Sequence, residues 1–197
     1  MCIRDRLYPT PAAPGYFVAM ANWDGQWYHE ISDLGYPVPL PTDPDGAVVQ
    51  NPWAFYPVFP LLTRAVMRVT GADFYVAGST LSLVVGAVAM VLLFRLVDDA
   101  VGRWPAIVAT TMVTTYVAAP VLQTTYTESC ALLLVVLVLT LLRKRQYWWA
   151  GLALITLALT RNIVLAMAPV VITHAIVRWR ARHTLSLIHI SEPTRPY

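Results

Sequence analysis

The feature that most limits how this chain can fold is a long uncharged apolar run, Phe74–Phe94. An α-helix needs about 20 consecutive apolar residues to cross a bilayer, and this run meets that length. A second run, Trp104–Leu142, contains Glu128 as its only side chain expected to be charged, and it is long enough for two crossings with a turn near Pro120. A hydrophobic content of 57% and a mean hydropathy of +0.57 also exceed those typical of soluble domains. The sequence therefore predicts an all-α, polytopic transmembrane helix bundle.

Two shorter apolar runs follow, Tyr147–Thr160 and Ile163–Val177, and Arg161 and Asn162 separate them. Each is short for a full crossing, so we expect their ends to reach the interface or one of them to be partly embedded. Residues 74–184 are accordingly predicted to form the transmembrane part of the chain.

The basic residues predict an orientation. Lys and Arg concentrate on the cytoplasmic side of membrane proteins, and here they cluster at Arg143–Arg145 and Arg178–Arg182. Arg95 and Arg103 flank a third loop, which also contains Asp98 and Asp99. With these three sites in the cytoplasm, Asp24, Glu128 and Arg161 fall together on the extracytoplasmic side. We therefore expect an integral protein of a bacterial plasma membrane whose functional site faces outward. The formal net charge of +3 is too small to indicate a nucleic-acid partner.

The N-terminal segment, residues 7–73, lacks a long apolar run and is predicted to be a structured extracytoplasmic loop. Prolines are frequent in it, and "DPDG" at Asp43–Gly46 is a strong turn signal. After Pro60 the pattern "LLTRAVMRV" is helical and places Arg64 and Arg68 on one face. We expect this helix to lie in the headgroup layer of the membrane.

Three ionisable residues are candidate functional groups, and each has a structural alternative. Asp24 lies in "NWDGQWYHEISDLGY" and is either a turn residue or helix N-cap, or a catalytic carboxylate. Glu128 is costly between apolar runs unless it faces water, a partner or a cavity, so it either carries function or marks a helix N-terminus. Arg161 either binds an anion such as phosphate or reaches to the interface as an end residue.

Two segments, "WDGQWYHEISDLGY" and "AFYPVFPLLTR" (Ala54–Arg64), together resemble the signature of the PIG-V family of mannosyltransferases, which have the GT-C fold. "YTES" (Tyr126–Ser129) resembles a second motif of that family. "LTRN" (Leu159–Asn162) resembles a third, although the Gly that follows the Arg in the family is absent here. Ser32 stands where the family usually has Ala. The resemblance covers nearly all of the chain between its two ends, and it implies one further span upstream and several downstream.

The resemblance implies an inverting transfer of a hexose, mannose in the family, from a polyprenyl-phosphate donor to a lipid-linked or cell-envelope glycan. It implies Asp24 as the catalytic residue, since a carboxylate can take the proton of an acceptor hydroxyl. The leaving phosphate needs cationic partners. The implied substrate-binding residues are Trp23, Tyr28, His29, Tyr56, Arg64, Tyr126, Glu128 and Arg161.

We expect no cofactor, because the lipid-linked donor is the co-substrate. We also expect no metal ion, because Asp24, His29 and Asp33 do not have a recognised ligand spacing. Membrane lipids are the remaining expected partners. The alternative function is that of a membrane transporter or flippase fragment in which Glu128 and Arg161 line the path.

The two ends of the chain resemble a sequencing adapter rather than protein. "MCIRDR" can be encoded by a DNA sequence whose reverse complement encodes "LSLIHI", Leu185–Ile190. We therefore expect residues 1–6 and 185–197 to be artefacts of adapter read-through, and residues 7–184 to belong to a longer protein.

Overall fold

The computed structural model of the chain describes residues 12–190, with side chains described up to residue 181. In that range the secondary structure is helical, apart from an isolated β-bridge between Thr42 and Val48. Within the described residues, two short 3-10 helices, Pro52–Ala54 and Ala119–Gln123, accompany eight α-helices. The α-helices are α1 (Gly15–Met20), α2 (Asp24–Asp33), α3 (Val58–Thr70), α4 (Phe74–Val101), α5 (Arg103–Thr115), α6 (Glu128–Arg143), α7 (Tyr147–Ala158) and α8 (Val164–Ile190). The all-α prediction is confirmed.

Two of these helices are long and apolar enough to cross a membrane: α4, and the segment Val164–Ala181 of α8. At 1.5 Å per residue the 28 residues of α4 span about 42 Å, which exceeds the roughly 30 Å hydrocarbon layer. α5 and α6 contain 13 and 16 residues and span about 20 and 24 Å. The run Trp104–Leu142 thus divides into two helices near Pro120 as predicted, but each is shorter than a complete crossing.

The N-terminal segment is more helical than the predicted loop. Three α-helices occupy much of it, and an irregular stretch remains between α2 and α3. The predicted turn at Asp43–Gly46 is present, because Oδ1 of Asp43 accepts hydrogen bonds from the N–H groups of Asp45 (3.1 Å) and Ala47 (2.9 Å). The frequent prolines favoured the interpretation of this segment as a loop. A proline in the first turn of a helix breaks no helical hydrogen bond, however, and Pro60 lies in the first turn of α3.

The helix predicted after Pro60 is α3, which begins slightly earlier, at Val58. It ends where Gly71 adopts a left-handed conformation, with φ of 72°, and donates its N–H to the carbonyl of Met67 at 2.8 Å. Glycine takes this conformation without the steric cost of a side chain. α4 follows at once, and its first turn is capped by the Asp73 carboxylate, which accepts from the N–H of Val76 at 2.9 Å.

The N-terminal helices pack on α4 and α6 through a shared apolar core. α4 contacts α3, α5 and α6, and α6 also contacts α7. Burying one large apolar side chain contributes about 1.5–3 kcal/mol to the free energy of unfolding, so this core stabilises the packing of the N-terminal segment. Its buried members are Ala21, Tyr28, Ile31, Phe59, Phe74 and Cys130.

The chain divides into two compact units, the first ending at Asn162 and the second beginning at Ile163. The second unit consists of α8, which contains Pro169 in its interior. The expected artefactual residues 1–6 lie outside the described residues, as do residues 191–197, whereas residues 185–190 are part of the α8 backbone.

Candidate functional site

An ion pair at the beginning of α6 forms the centre of the candidate site. Glu128 is the first residue of α6, where the helix dipole favours a negative charge. Arg161, in the connection from α7 to α8, places Nη1 2.5 Å from Oε1 of Glu128. The same Nη1 donates to Oγ1 of Thr127 at 3.3 Å. Two residues that the sequence analysis selected from separate segments are therefore in direct contact.

The other carboxylate oxygen of Glu128, Oε2, is buried and accepts no hydrogen bond from the described residues. A buried acceptor without a donor costs about 1–3 kcal/mol, and more when it is charged. Oε2 therefore has unused acceptor capacity, which a bound molecule can reach when the Glu128 side chain turns.

Asp24 is the first residue of α2, and the N-cap of that helix is Trp23. The side chain of Trp23 makes no capping hydrogen bond, and Asp24 lies in the first turn of α2 rather than at the N-cap position. The backbone of Trp23 has φ of 56° and ψ of −115°, a conformation that costs about 1–3 kcal/mol for a residue with a side chain. Such a conformation persists where the surroundings hold the chain on both sides of it.

Tyr126 helps to hold the chain around Trp23. Its hydroxyl donates to the carbonyl of Asn22 at 2.7 Å and is also hydrogen-bonded to the backbone of Asp24. The N–H of the preceding Thr125 donates to the carbonyl of Met20 at 3.1 Å. The segment that leads into α6 thus fixes the turn from α1 to α2, and with it the position of Asp24.

The charges of the site act on one another. The pKa of the Asp24 carboxyl lies above its usual value of 3.8, chiefly because neighbouring protein atoms exclude water and secondly because Glu128 is negative, while Arg161 opposes both effects. Asp24 as a whole residue stays exposed, so a ligand can reach its carboxyl. A reachable carboxyl with a raised pKa suits a group that accepts a proton during a reaction.

Tyr28 lies one turn along α2 from Asp24 and is buried. Its ring meets Phe55 and Phe59 edge to face at 5.3 and 5.4 Å, and its hydroxyl is hydrogen-bonded to the side chain of Thr127. Burial above all raises the pKa of Tyr28 to about 12, so the phenol is neutral at pH 7. Tyr28 therefore stabilises the site from the protein interior.

Thr125 is completely buried between α2 and α4, and two glycines make room for it. A methyl group on Gly25 would lie 2.5 Å from Oγ1 of Thr125, and one on Gly78 would lie 2.9 Å from its Cγ2. Both separations are shorter than non-bonded atoms tolerate. This close packing sets the distance between the helix that begins with Asp24 and the segment that leads to Glu128.

α6 begins beside the middle of α4. Oγ of Ser129 lies 3.1 Å from the position that a methyl group on Gly86 would take. Gly86 is twelve residues, or about 18 Å, along α4 from Phe74. The neighbouring Glu128 is therefore level with interior turns of α4 rather than with its first residue.

Arg64 is not part of this cluster. It donates from Nε to the carbonyl of Ser32 at 2.5 Å and from Nη2 to the carbonyl of Ile31 at 2.6 Å, both in the last turn of α2. Asp24 is at the other end of this ten-residue helix, about 13 Å away along its axis. A cation at a helix C-terminus satisfies free carbonyl groups and the dipole, and the structure gives Arg64 that place.

The remaining predicted residues differ in their contacts and in their burial. Nε2 of His29 lies 3.0 Å from Oδ2 of Asp33, and its ring stacks on Phe74 at 4.6 Å. Trp23 is 43% exposed beside Asp24, and Tyr56 is half-buried just before α3. Of the aromatic candidates, Trp23 is thus the one best placed to contact a ligand.

Sequence reasoning missed two threonines, Thr125 and Thr127. The available signal is the run of polar residues Gln123–Ser129 after Pro120, but spacing alone does not reveal that Thr127 contacts Arg161 or that Thr125 packs against two glycines. In the described part of the chain, no group of three or more His, Cys, Asp or Glu residues is arranged to hold a metal ion.

No family model, curated protein or solved structure matches this chain. The similarity to the PIG-V signature therefore stays a prediction, and the function is inferred from the site.

Proposed function

We propose that the chain belongs to an integral-membrane glycosyltransferase that moves a hexose, mannose by its resemblance, from a polyprenyl-phosphate donor to a glycan acceptor. The observation that carries the proposal is that Asp24, Glu128 and Arg161, from three distant segments, act on one another at a single place. The two helices long enough to cross a membrane support a membrane setting for such a donor.

Asp24 is the base in this proposal. A hydroxyl of the acceptor attacks the anomeric carbon of the donor sugar, and the bond from that carbon to the phosphate oxygen breaks with inversion. The acceptor proton passes to the Asp24 carboxylate as the new bond forms, and the phosphate leaves with the bonding electron pair. The raised pKa of Asp24 makes it a better proton acceptor than an ordinary aspartate.

Glu128 and Arg161 bind the substrates in this proposal. The free Oε2 of Glu128 accepts a hydrogen bond from a sugar hydroxyl. With both carboxylates ionised, the three groups carry a net charge of −1, which does not attract a phosphate. The donor phosphate must therefore replace Glu128 at Nη1 of Arg161, and the released carboxylate is then free to turn to the acceptor.

A cavity of about 530 Å³ adjoins the beginning of α6 and suits the lipid portion of a substrate. Gly86 and Leu122 line it, and both also touch Ser129, the neighbour of Glu128. Apolar side chains such as Leu83 and Met90 form its wall, while Gln123 offers a polar group. Such a cavity, mostly apolar with a few polar groups, is typical of ligand sites.

The test is the substitution Asp24→Asn in the full-length protein, assayed in membranes by transfer of radiolabelled mannose from a polyprenyl-phosphate donor. Asn keeps the size of Asp but cannot take a proton, so we expect transfer to fall by about 10²–10⁴ while donor binding is retained. Asp33→Asn is the matched control, because Asp33 lies at the other end of α2 and pairs with His29; we expect it to transfer within a few-fold of wild type.

Transfer by Asp24→Asn at close to the wild-type rate would show that Asp24 is not the base. Absence of transfer by the wild-type protein, together with movement of the lipid-linked sugar across the bilayer, would favour the transporter alternative instead.

A further inference from the structure

A cleft of about 400 Å³ lies between α4 and α6 at their C-terminal ends, away from the site described above. Its charged lining consists of three basic side chains, Arg95, Arg143 and Lys144, and one acidic side chain, Asp99. Leu92 and Leu96 supply an apolar wall. Its lining therefore carries a net charge of +2 above an apolar surface.

The three basic side chains of the cleft differ in whether they interact with other described residues. Arg143 is engaged with the end of α4: it donates to the carbonyl of Leu96 at 3.1 Å and to the carbonyl of Asp99 at 2.5 Å, and it lies 3.8 Å from Oδ2 of Asp99. The side chains of Arg95 and Lys144 make no ion pair with a described residue. These two side chains have their charges available to an external anion.

α4 is long enough for Arg95 to reach the depth of lipid phosphates. Phe74 and Arg95 are separated by 21 residues of one continuous helix, or about 32 Å, which matches the hydrocarbon thickness of a bilayer. When α4 spans the membrane with Phe74 at one boundary, Arg95 reaches the other. Lys144 lines the same cleft and so lies near the same boundary.

An exposed apolar stripe on α4 leads to the cleft. Val84, Val88 and Val91 are each about half exposed, at 54%, 45% and 51%. Their spacing of four and three residues continues with four more to Arg95, which places all four on one face of the helix. A lipid acyl chain can lie along this face while its headgroup contacts Arg95. A free phosphate ion would make no use of it.

We propose that this cleft binds an anionic phospholipid, with its phosphate between Arg95 and Lys144 and one acyl chain along Val84, Val88 and Val91. Basic pockets between membrane helices are suited to such headgroups. The lipid links the ends of α4 and α6 and fixes their depth in the bilayer. The proposal stands independently of the glycosyltransferase function.

The test uses the purified full-length protein in detergent micelles and native mass spectrometry to measure retained lipid. The probes are dioleoylphosphatidylglycerol, dioleoylphosphatidylcholine and inorganic phosphate. We expect the anionic lipid to be retained at about a tenfold lower concentration than the zwitterionic lipid, and inorganic phosphate not to displace it. The double variant Arg95→Gln/Lys144→Gln should lose this retention by at least about tenfold.

A matched control removes the same charge near the same end of the bundle. Arg103→Gln/Arg145→Gln takes two cations that do not line the cleft, so it should retain the anionic lipid within about twofold of wild type. Asp99→Asn removes the acidic group of the cleft and should strengthen retention, which provides a gain-of-binding readout should the first double variant fold poorly. Equal losses in the two double variants, weaker or unchanged binding by Asp99→Asn, or efficient displacement by inorganic phosphate would each overturn the proposal.

Discussion

The two ends of the α4–α6 pair both place an arginine beside a carboxylate, but the two pairs differ in strength. Arg161 and Glu128 are 2.5 Å apart, and the Glu128 side chain is 26% exposed. Arg143 and Asp99 are 3.8 Å apart, and the Asp99 side chain is 66% exposed. Water screens the second pair much more than the first, so ion pairing holds the first end together while contacts to backbone carbonyls hold the second.

The helix dipoles explain why each end has its own balance of charge. α6 begins with Glu128, where a negative charge is favoured, and ends with Arg143, where a positive charge is favoured. The Glu128 end carries a net charge of −1 with Asp24 and Arg161, whereas the cleft at the other end carries +2. The same helix thus separates groups suited to hydroxyls and protons from groups suited to lipid phosphates.

Packing also differs between the ends. At the Glu128 end, Gly25 and Gly78 are required by space, because Thr125 fills the volume that a side chain would take. At the other end, a methyl group on Gly102 would meet no described atom within 4 Å, but the residue has φ of 99°, so glycine is required there by backbone conformation. At the first end, neighbouring atoms exclude a larger residue at Gly25 and Gly78. At the second end, the backbone conformation of Gly102 excludes it.

Of the three effects described here, the largest is expected from Gly78→Ala, because the added methyl group meets Thr125 at 2.9 Å. Overpacking of this kind typically costs 1–3 kcal/mol, and we expect about 2 kcal/mol in thermal unfolding of the full-length protein in micelles. Gly151→Ala is the control, since no described atom lies within 4 Å of its new methyl group and alanine favours helices. Adding Thr125→Ala should remove the cost of Gly78→Ala. An equal cost in both backgrounds would mean that Thr125 does not limit the space.

A smaller effect should separate the two ion pairs. Arg161→Met leaves Glu128 without its cationic partner and should cost about 1 kcal/mol, below the 3–5 kcal/mol of a fully buried pair because both side chains retain solvent contact. Arg143→Met should cost about 0.5 kcal/mol, since solvent screens Asp99. Glu128→Gln should recover part of the loss in Arg161→Met. Equal losses in the free energy of unfolding for Arg161→Met and Arg143→Met would contradict the expected difference between the two ion pairs.

The smallest effect concerns Asp24 and pH. The pKa of its carboxyl in the folded protein is raised above 3.8, so the folded state binds the proton more tightly than the unfolded state. The contribution of Asp24 to stability is then highest below pH 3.8 and falls as pH rises through the raised pKa. Asp24→Asn should therefore raise the thermal midpoint slightly at pH 7, and this advantage should vanish at low pH. A lower midpoint at pH 7 would indicate that the Asp24 carboxylate stabilises the fold.

Sequence patterns predicted the residues of the site better than their surroundings. Motif similarity and the basic clusters selected Asp24, Glu128 and Arg161, because charges among apolar runs are few and conspicuous. The same reasoning made Arg64 a candidate substrate-binding residue, whereas it donates hydrogen bonds to carbonyls at the end of α2. Helix periodicity shows which face carries a cation but does not show which element docks against that face. The role of Thr125 depends in the same way on contacts between distant segments.

Glu128 is followed by Ser129, which packs against Gly86 about 18 Å along α4 from Phe74, beside the interior turns of a helix long enough to span a bilayer. In the proposed function, the lipid-linked donor reaches such a place most directly by moving sideways within the membrane, since its lipid tail keeps it there. The encounter is then a two-dimensional search. The quantity that governs how often the site is filled is the number of lipid-linked molecules per unit area of membrane, and the volume of the surrounding solution has no bearing on it.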